Sequence, residues 1–104
     1  MANTSYEKLT VTPSSALGLA SLPKSSTYAF FSVEDDDIRV RIDGTAPTAS
    51  EGIFFGAGDS FEVCGLAALS NFKTIATDTG NASLKINYGE DGSRNKIGIF
   101  NRVS

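Results

Sequence analysis

The sequence predicts an all-β fold: a single antiparallel β-sandwich of about six to eight short strands with a C-terminal arm or edge strand. Three observations carry this prediction. Short runs rich in β-branched and aromatic residues recur at spacings of roughly ten residues. Several of them alternate polar and apolar residues, the period-two pattern of a strand with one buried face. Turns rich in Gly, Asp and Ser separate the runs, and no stretch sustains the helical period that a βαβ crossover needs.

Each element follows from local chemistry. Residues 8–12 alternate Leu9 and Val11 with polar neighbours, and Pro13, Ser14 and Ser15 end the run. Residues 16–23 mix Leu17, Leu19 and Leu22 with Gly18, Pro23 and serines, which predicts a loop with buried leucine anchors. Residues 27–34 hold Tyr28, Phe30, Phe31 and Val33 and predict a strand. Asp35, Asp36 and Asp37 interrupt it. Ile38, Val40 and Ile42 then alternate cleanly with Arg39, Arg41 and Asp43. Two strands around a short turn-favouring run predict a hairpin, with the acidic residues at its tip.

Residues 44–52 predict a loop, Ile53, Phe54 and Phe55 a short apolar segment, and residues 56–59 a turn. Residues 60–64 alternate again, with Phe61 and Val63 opposite Glu62, and residues 65–71 suit one helical turn at a corner. Residues 72–77 and 82–88 predict a second hairpin around the turn 78–81. Residues 1–88 are thus expected to form the sandwich domain. Residues 89–104 form a polar linker followed by renewed apolar character, expected as a final edge strand or as an arm laid on a neighbouring subunit by strand addition.

Composition narrows the chemistry. The chain of 104 residues has room for one domain of ordinary size. It contains no histidine and no tryptophan and a single cysteine. Without histidine it lacks the commonest general base, metal ligand and pH switch. One cysteine excludes an intrachain disulfide framework and a thiolate zinc cluster. A net charge of −3 argues against a nucleic-acid partner. The expectation is a protein that is not an enzyme and has no catalytic residues, cofactor or metal. No basic n-region followed by an apolar stretch is read at the start, and no apolar run is long enough to cross a bilayer. A soluble protein made in a cytoplasm, with no membrane partner, is expected.

The residual motifs have bland readings. The Asp35–Asp37 run after Glu34 supplies oxygens of the kind calcium takes, but it lacks the spacing and glycine of an EF-hand loop, so a solvated turn is the better account. Gly56, Ala57, Gly58, Asp59 and Ser60 precede a strand and have neither the lysine nor the helix of a phosphate-binding loop. No serine can belong to a Ser-His-Asp triad, and a glycosidase-like carboxylate pair would have no tryptophan to stack the sugar. Cys64 reads as a buried structural cysteine rather than a reactive thiolate. The sequon matches at Asn3 and Asn81 are read as chance. Arg39 and Arg41 form a short basic stripe beside Asp43, better suited to a salt bridge within the sheet or between subunits than to nucleic acid.

The stretch from Ile38 to Gly52 reads I-R-V-R-I-D-G-T-A-P-T-A-S-E-G; Gly58, Asp59, Ser60 and Phe61 follow, and then Phe72, Lys73, Thr74 and Ile75. In these motifs the chain resembles a family of small structural proteins, about a hundred residues long, of tailed bacteriophages and prophages. The likeness covers residues 28–88, and the tail beyond departs from the pattern. It implies a non-enzymatic virion protein, foremost a capsid decoration (cement) protein that stabilises the head by binding between major capsid protein subunits as a homo-oligomer, a trimer before other symmetries. A tail or head–tail connector protein, or a module that binds a host surface or carbohydrate, is the alternative. Localisation would be the virion. The expected contact residues are Arg39, Arg41, Asp43, Thr45, Pro47 and Thr48 in and before the loop, and Ile97, Ile99 and Phe100 in the C-terminal segment, because loops and tails are uncommitted to the sheet.

Overall fold

A computed structural model describes residues 5–20, 22–24, 26–89 and 98–102. The elements run β1 (Ser5–Val11), β2 (Tyr28–Glu34), β3 (Ile38–Arg41), β4 (Ile53–Phe55), β5 (Ser60–Cys64), α1 (Leu66–Ser70), β6 (Lys73–Ala76), β7 (Ala82–Gly89) and β8 (Gly98–Arg102). They form a five-stranded sheet ordered β1-β7-β2-β5-β8 and a three-stranded sheet ordered β4-β3-β6. All pairings are antiparallel. The chain is an all-β sandwich, as its strand spacing and alternation predict.

Alternation determines which faces meet. Ala29, Phe31 and Val33 of β2, Ile38 and Val40 of β3, and Leu84, Ile86 and Tyr88 of β7 are all buried between the sheets. The centre of the core is an aromatic stack. Phe31 lies 4.7 Å from Phe61 and 4.8 Å from Phe72, and Phe55 lies 4.0 Å from Phe61, all near parallel. Burial of several such rings is the largest single source of cohesion in a domain this small. Leu17, Leu19 and Leu22 pack partly buried against this core, the anchoring role their spacing predicts.

Both predicted hairpins are corrected. β2 and β3 lie in different sheets, as do β6 and β7. Each turn instead carries the chain from one layer to the other, and the β4–β5 turn does the same at the same end. At the first crossing Asp35 adopts a positive φ of 76° in a tight turn in which the Asp36 N–H donates to the Glu34 carbonyl at 2.9 Å. The acidic run is a solvent-exposed corner held by hydrogen bonds, not the tip of a hairpin. Asp37 accepts the Ala57 N–H at 2.8 Å, Asp35 accepts the Ser83 hydroxyl at 2.7 Å, and the Asp37 carbonyl accepts the Thr77 N–H at 3.1 Å. The three crossings are thereby tied to one another.

A second set of bonds holds residues 12–20 against the sandwich. The Tyr88 hydroxyl, buried at 1% exposure, donates to Glu7 at 2.5 Å, and the other Glu7 oxygen accepts the Ala20 N–H at 2.9 Å. Burial and the adjacent carboxylate push the Tyr88 hydroxyl well above its ordinary pKa, so it stays a donor. The C-terminal segment is an edge strand, not a free arm: β8 pairs with β5 of its own chain over Gly98–Arg102.

Candidate interaction surface

The predicted loop contacts cluster at the end of the sandwich opposite the aspartate corner. β3 delivers Arg39 and Arg41 on its outer face because Ile38 and Val40 face the core. Neither arginine reaches outward as a free cation. Arg39 donates from Nε to the Ala49 carbonyl at 3.0 Å and from Nη1 to the Gly52 carbonyl at 2.8 Å, and its guanidinium lies 5.4 Å from the Phe54 ring centroid. It is the internal brace of the loop. Arg41 clasps Asp43 through both oxygens, at 3.1 and 2.5 Å. This fork holds the Asp43 carboxyl below the usual carboxylate range, helped by the Thr45 N–H, and raises the Arg41 guanidinium. The salt bridge predicted for the stripe is therefore formed by Arg41, while Arg39 bonds carbonyls.

Thr48 and Glu51 close the loop by exchanging backbone bonds at 2.9 and 3.3 Å, and Thr48 Oγ1 accepts the Ser50 N–H. Pro47 is buried beneath it. Gly52, at φ 135°, lies where a Cβ would meet Pro47 Cβ at 3.1 Å and Arg39 Cβ at 3.2 Å. Only glycine fits there. Thr45 and Thr48 are exposed on the outside of this braced loop.

Sequence reasoning missed the most conspicuous surface residues. Ile53 and Phe54 of β4 remain 48% and 51% exposed, while Phe55 is buried in the aromatic stack. The run of Ile53, Phe54 and Phe55 was the available signal: consecutive apolar residues on a strand cannot all face one core. Beside Ile53 lies an open groove of about 450 Å³, floored by Val40 and Ile42 and rimmed by Arg41, Asp43 and Glu51.

The C-terminal contact residues lie on and before β8, beside β5. Ile99 is partly buried and packs against the core. Phe100 pairs through its backbone with Glu62, and its side chain, like Ile97, lies outside the described residues. Glu62 is itself a departure from simple alternation. It is 1% exposed on the face of β5 opposite Phe61 and Val63, with Phe30 and Phe100 as its register partners. Cys64 is buried, as its setting predicts, and its thiol donates to Glu62 Oε1 at 4.0 Å.

Among the described residues no group of three His, Cys, Asp or Glu side chains is placed to hold a metal, and no helix is long and apolar enough to cross a membrane. No protein-family model, curated protein or solved structure matches the chain.

Proposed function

We propose that this chain is a non-enzymatic structural protein that works by contact, and that its binding surface is the β3–β4 edge with the braced 42–52 loop. The observation that carries this reading is the pair Ile53 and Phe54, half-exposed on a sheet edge next to an apolar groove. Exposed apolar side chains on the two sides of an open strand edge, one of them beside a groove, suit an association site. The loop beside it is held by Arg39, the Thr48–Glu51 bridge and Gly52, so little conformational freedom is lost on binding.

The assembly is supplied by the resemblance of residues 28–88 to small phage structural proteins: a capsid head, with this chain as decoration between major capsid protein subunits. Many weak copies on a repeating shell stabilise it through avidity. Electron microscopy of purified particles tests the reading. The expected density is a β-sandwich in on the order of hundreds of copies, with the 42–52 loop and β4 turned to the shell. A ring of about six or twelve copies assigns the chain to a connector or tail instead. Particles without the chain would sink the virion reading, and saturable glycan binding by the isolated protein would replace it with a surface-binding module.

A further inference from the structure

The hydrogen-bond parity of the three-stranded sheet identifies what its open edge offers. Thr74 of β6 exchanges both backbone bonds with Leu17, at 2.9 Å each, so its N–H and C=O point away from β3. Backbone groups of successive strand residues point to alternate sides. Lys73 and Ile75 therefore bond to their register partners Arg41 and Arg39, while Ile38 and Val40 turn to Phe55 and Ile53. Phe54, between these two, directs its N–H and C=O off the edge of the sheet.

The neighbouring edge groups are already used. The Gly52 carbonyl accepts from Arg39 at 2.8 Å. The Gly56 N–H donates to the Asp59 carboxylate at 2.8 Å, and its carbonyl accepts the Asp59 N–H at 2.9 Å. Among the described residues Phe54 is thus an open donor–acceptor pair, flanked by a Gly52 carbonyl and Gly56 groups that are already bonded. It carries an exposed aromatic ring and stands next to exposed Ile53 and the groove. The groove is also unbalanced in charge. Asp43 forms the salt bridge with Arg41, and the Glu51 carboxylate interacts with that same guanidinium only at longer range, so two carboxylates at the rim face one cation.

We propose that β4 accepts an extended segment of a partner protein by strand addition, and that the segment carries a lysine or arginine to meet Glu51. Its backbone closes two hydrogen bonds on Phe54. Its apolar side chains cover Ile53 and the partly exposed Ile42. Charge complementarity selects the basic residue, since the surplus charge at the rim is negative. The shortness of the edge limits the addition to one segment and prevents propagation into a fibre. This mode rests on the contact role proposed above and names the chemistry of its partner.

The probe is the synthetic peptide acetyl-Ser-Thr-Val-Val-Thr-Lys-Ser-amide, titrated into the full chain and followed by backbone amide NMR. We expect saturable shifts centred on Ile53, Phe54 and Phe55. A twin with glutamate for lysine binds about tenfold more weakly, and Glu51→Lys reverses that preference. A twin N-methylated at the first valine loses binding, as does Phe54→Pro, whose missing N–H points away from β3 and leaves the ladder intact. Absent binding, shifts centred elsewhere, indifference to N-methylation, or a preference unchanged in Glu51→Lys would each overturn the proposal. Concentration-dependent dimerisation in sedimentation that Phe54→Pro abolishes would assign the edge to a second copy and overturn it too. Copy number in particles is independent of all these readouts. Particles bearing the chain with no peptide binding reject only strand addition, and peptide binding without particle incorporation rejects only the virion role.

Discussion

The two edges of the three-stranded sheet differ in how they end. At β6 the chain covers its own edge: Leu17 bridges Thr74, and the Ala76 N–H reaches the Thr12 carbonyl at 3.1 Å. Thr74, Ile75 and Ala76 are all buried as a result. At β4 no described segment plays this part, and Ile53 and Phe54 face solvent. Both strands are short, and neither contains a proline to blunt it. The difference lies in the preceding segment. Residues 12–20 are tied down by Glu7 and the leucine anchors Leu17 and Leu19, so they can act as a cover. The 42–52 loop is folded onto Arg39 and itself, so it braces the open edge without covering it. An edge closed by its own chain is part of the core, and an edge left open beside a rigid loop is a surface built for contact.

The sharpest break in this comparison lies within β4. Phe55→Ala removes a ring of the aromatic stack and is expected to cost about 3–5 kcal/mol in denaturant unfolding. Phe54→Ala, one residue away, is expected to stay within about 0.5 kcal/mol. Equal costs would show that Phe54 is part of the core.

Proline distinguishes the edges next. Leu17→Pro removes the N–H that bonds buried Thr74 and is expected to cost about 2–3 kcal/mol. Phe54→Pro should cost less than about 1 kcal/mol, since its N–H leaves the sheet. A reversed order in thermal melts would refute the assigned parity.

Gly52→Ala tests the brace. Strain at a φ of 135° and crowding against Pro47 and Arg39 predict a loss of about 1–2 kcal/mol, with faster hydrogen exchange at the Thr48 and Glu51 amides. Unchanged exchange there would mean that the loop does not depend on this close approach.

The smallest effect belongs to the exposed Arg41–Asp43 pair. Asp43 is held below its ordinary value of 3.8, so its contribution is present above that pH and fades as pH falls toward the lowered folded value. The difference in melting temperature between the wild type and Asp43→Asn should therefore shrink on acidification below 3.8. A difference that grows instead would contradict the assigned direction.

Much of the fold was legible in side-chain chemistry alone. Val40 and Ile38 were identifiable as core and Arg39 and Arg41 as outer-face residues, because period-two alternation is a local property of a strand. Leu17, Leu19 and Leu22 were legible as anchors by the same transfer logic, and Cys64 as buried. The hairpins were not. Alternation states which face of a strand is apolar but is silent on which sheet receives it, so β2–β3 and β6–β7 read alike whether they turn back or cross over. Asp35 shows the limit: a short polar run suits either outcome, and its bond to Ser83 exists only once β7 is in place.

By itself, then, the sequence determined the class of fold, the buried faces and the scarcity of catalytic side chains. Those follow from periodicity and residue chemistry, which act within a few residues. The tertiary structure decided the layer changes, the roles of Arg39 and Asp37 as internal ties, and above all which edge stays open. Edge closure depends on whether a segment distant in sequence supplies matching N–H and C=O groups at the right height, and for β6 residues 12–17 do so across more than fifty positions of chain.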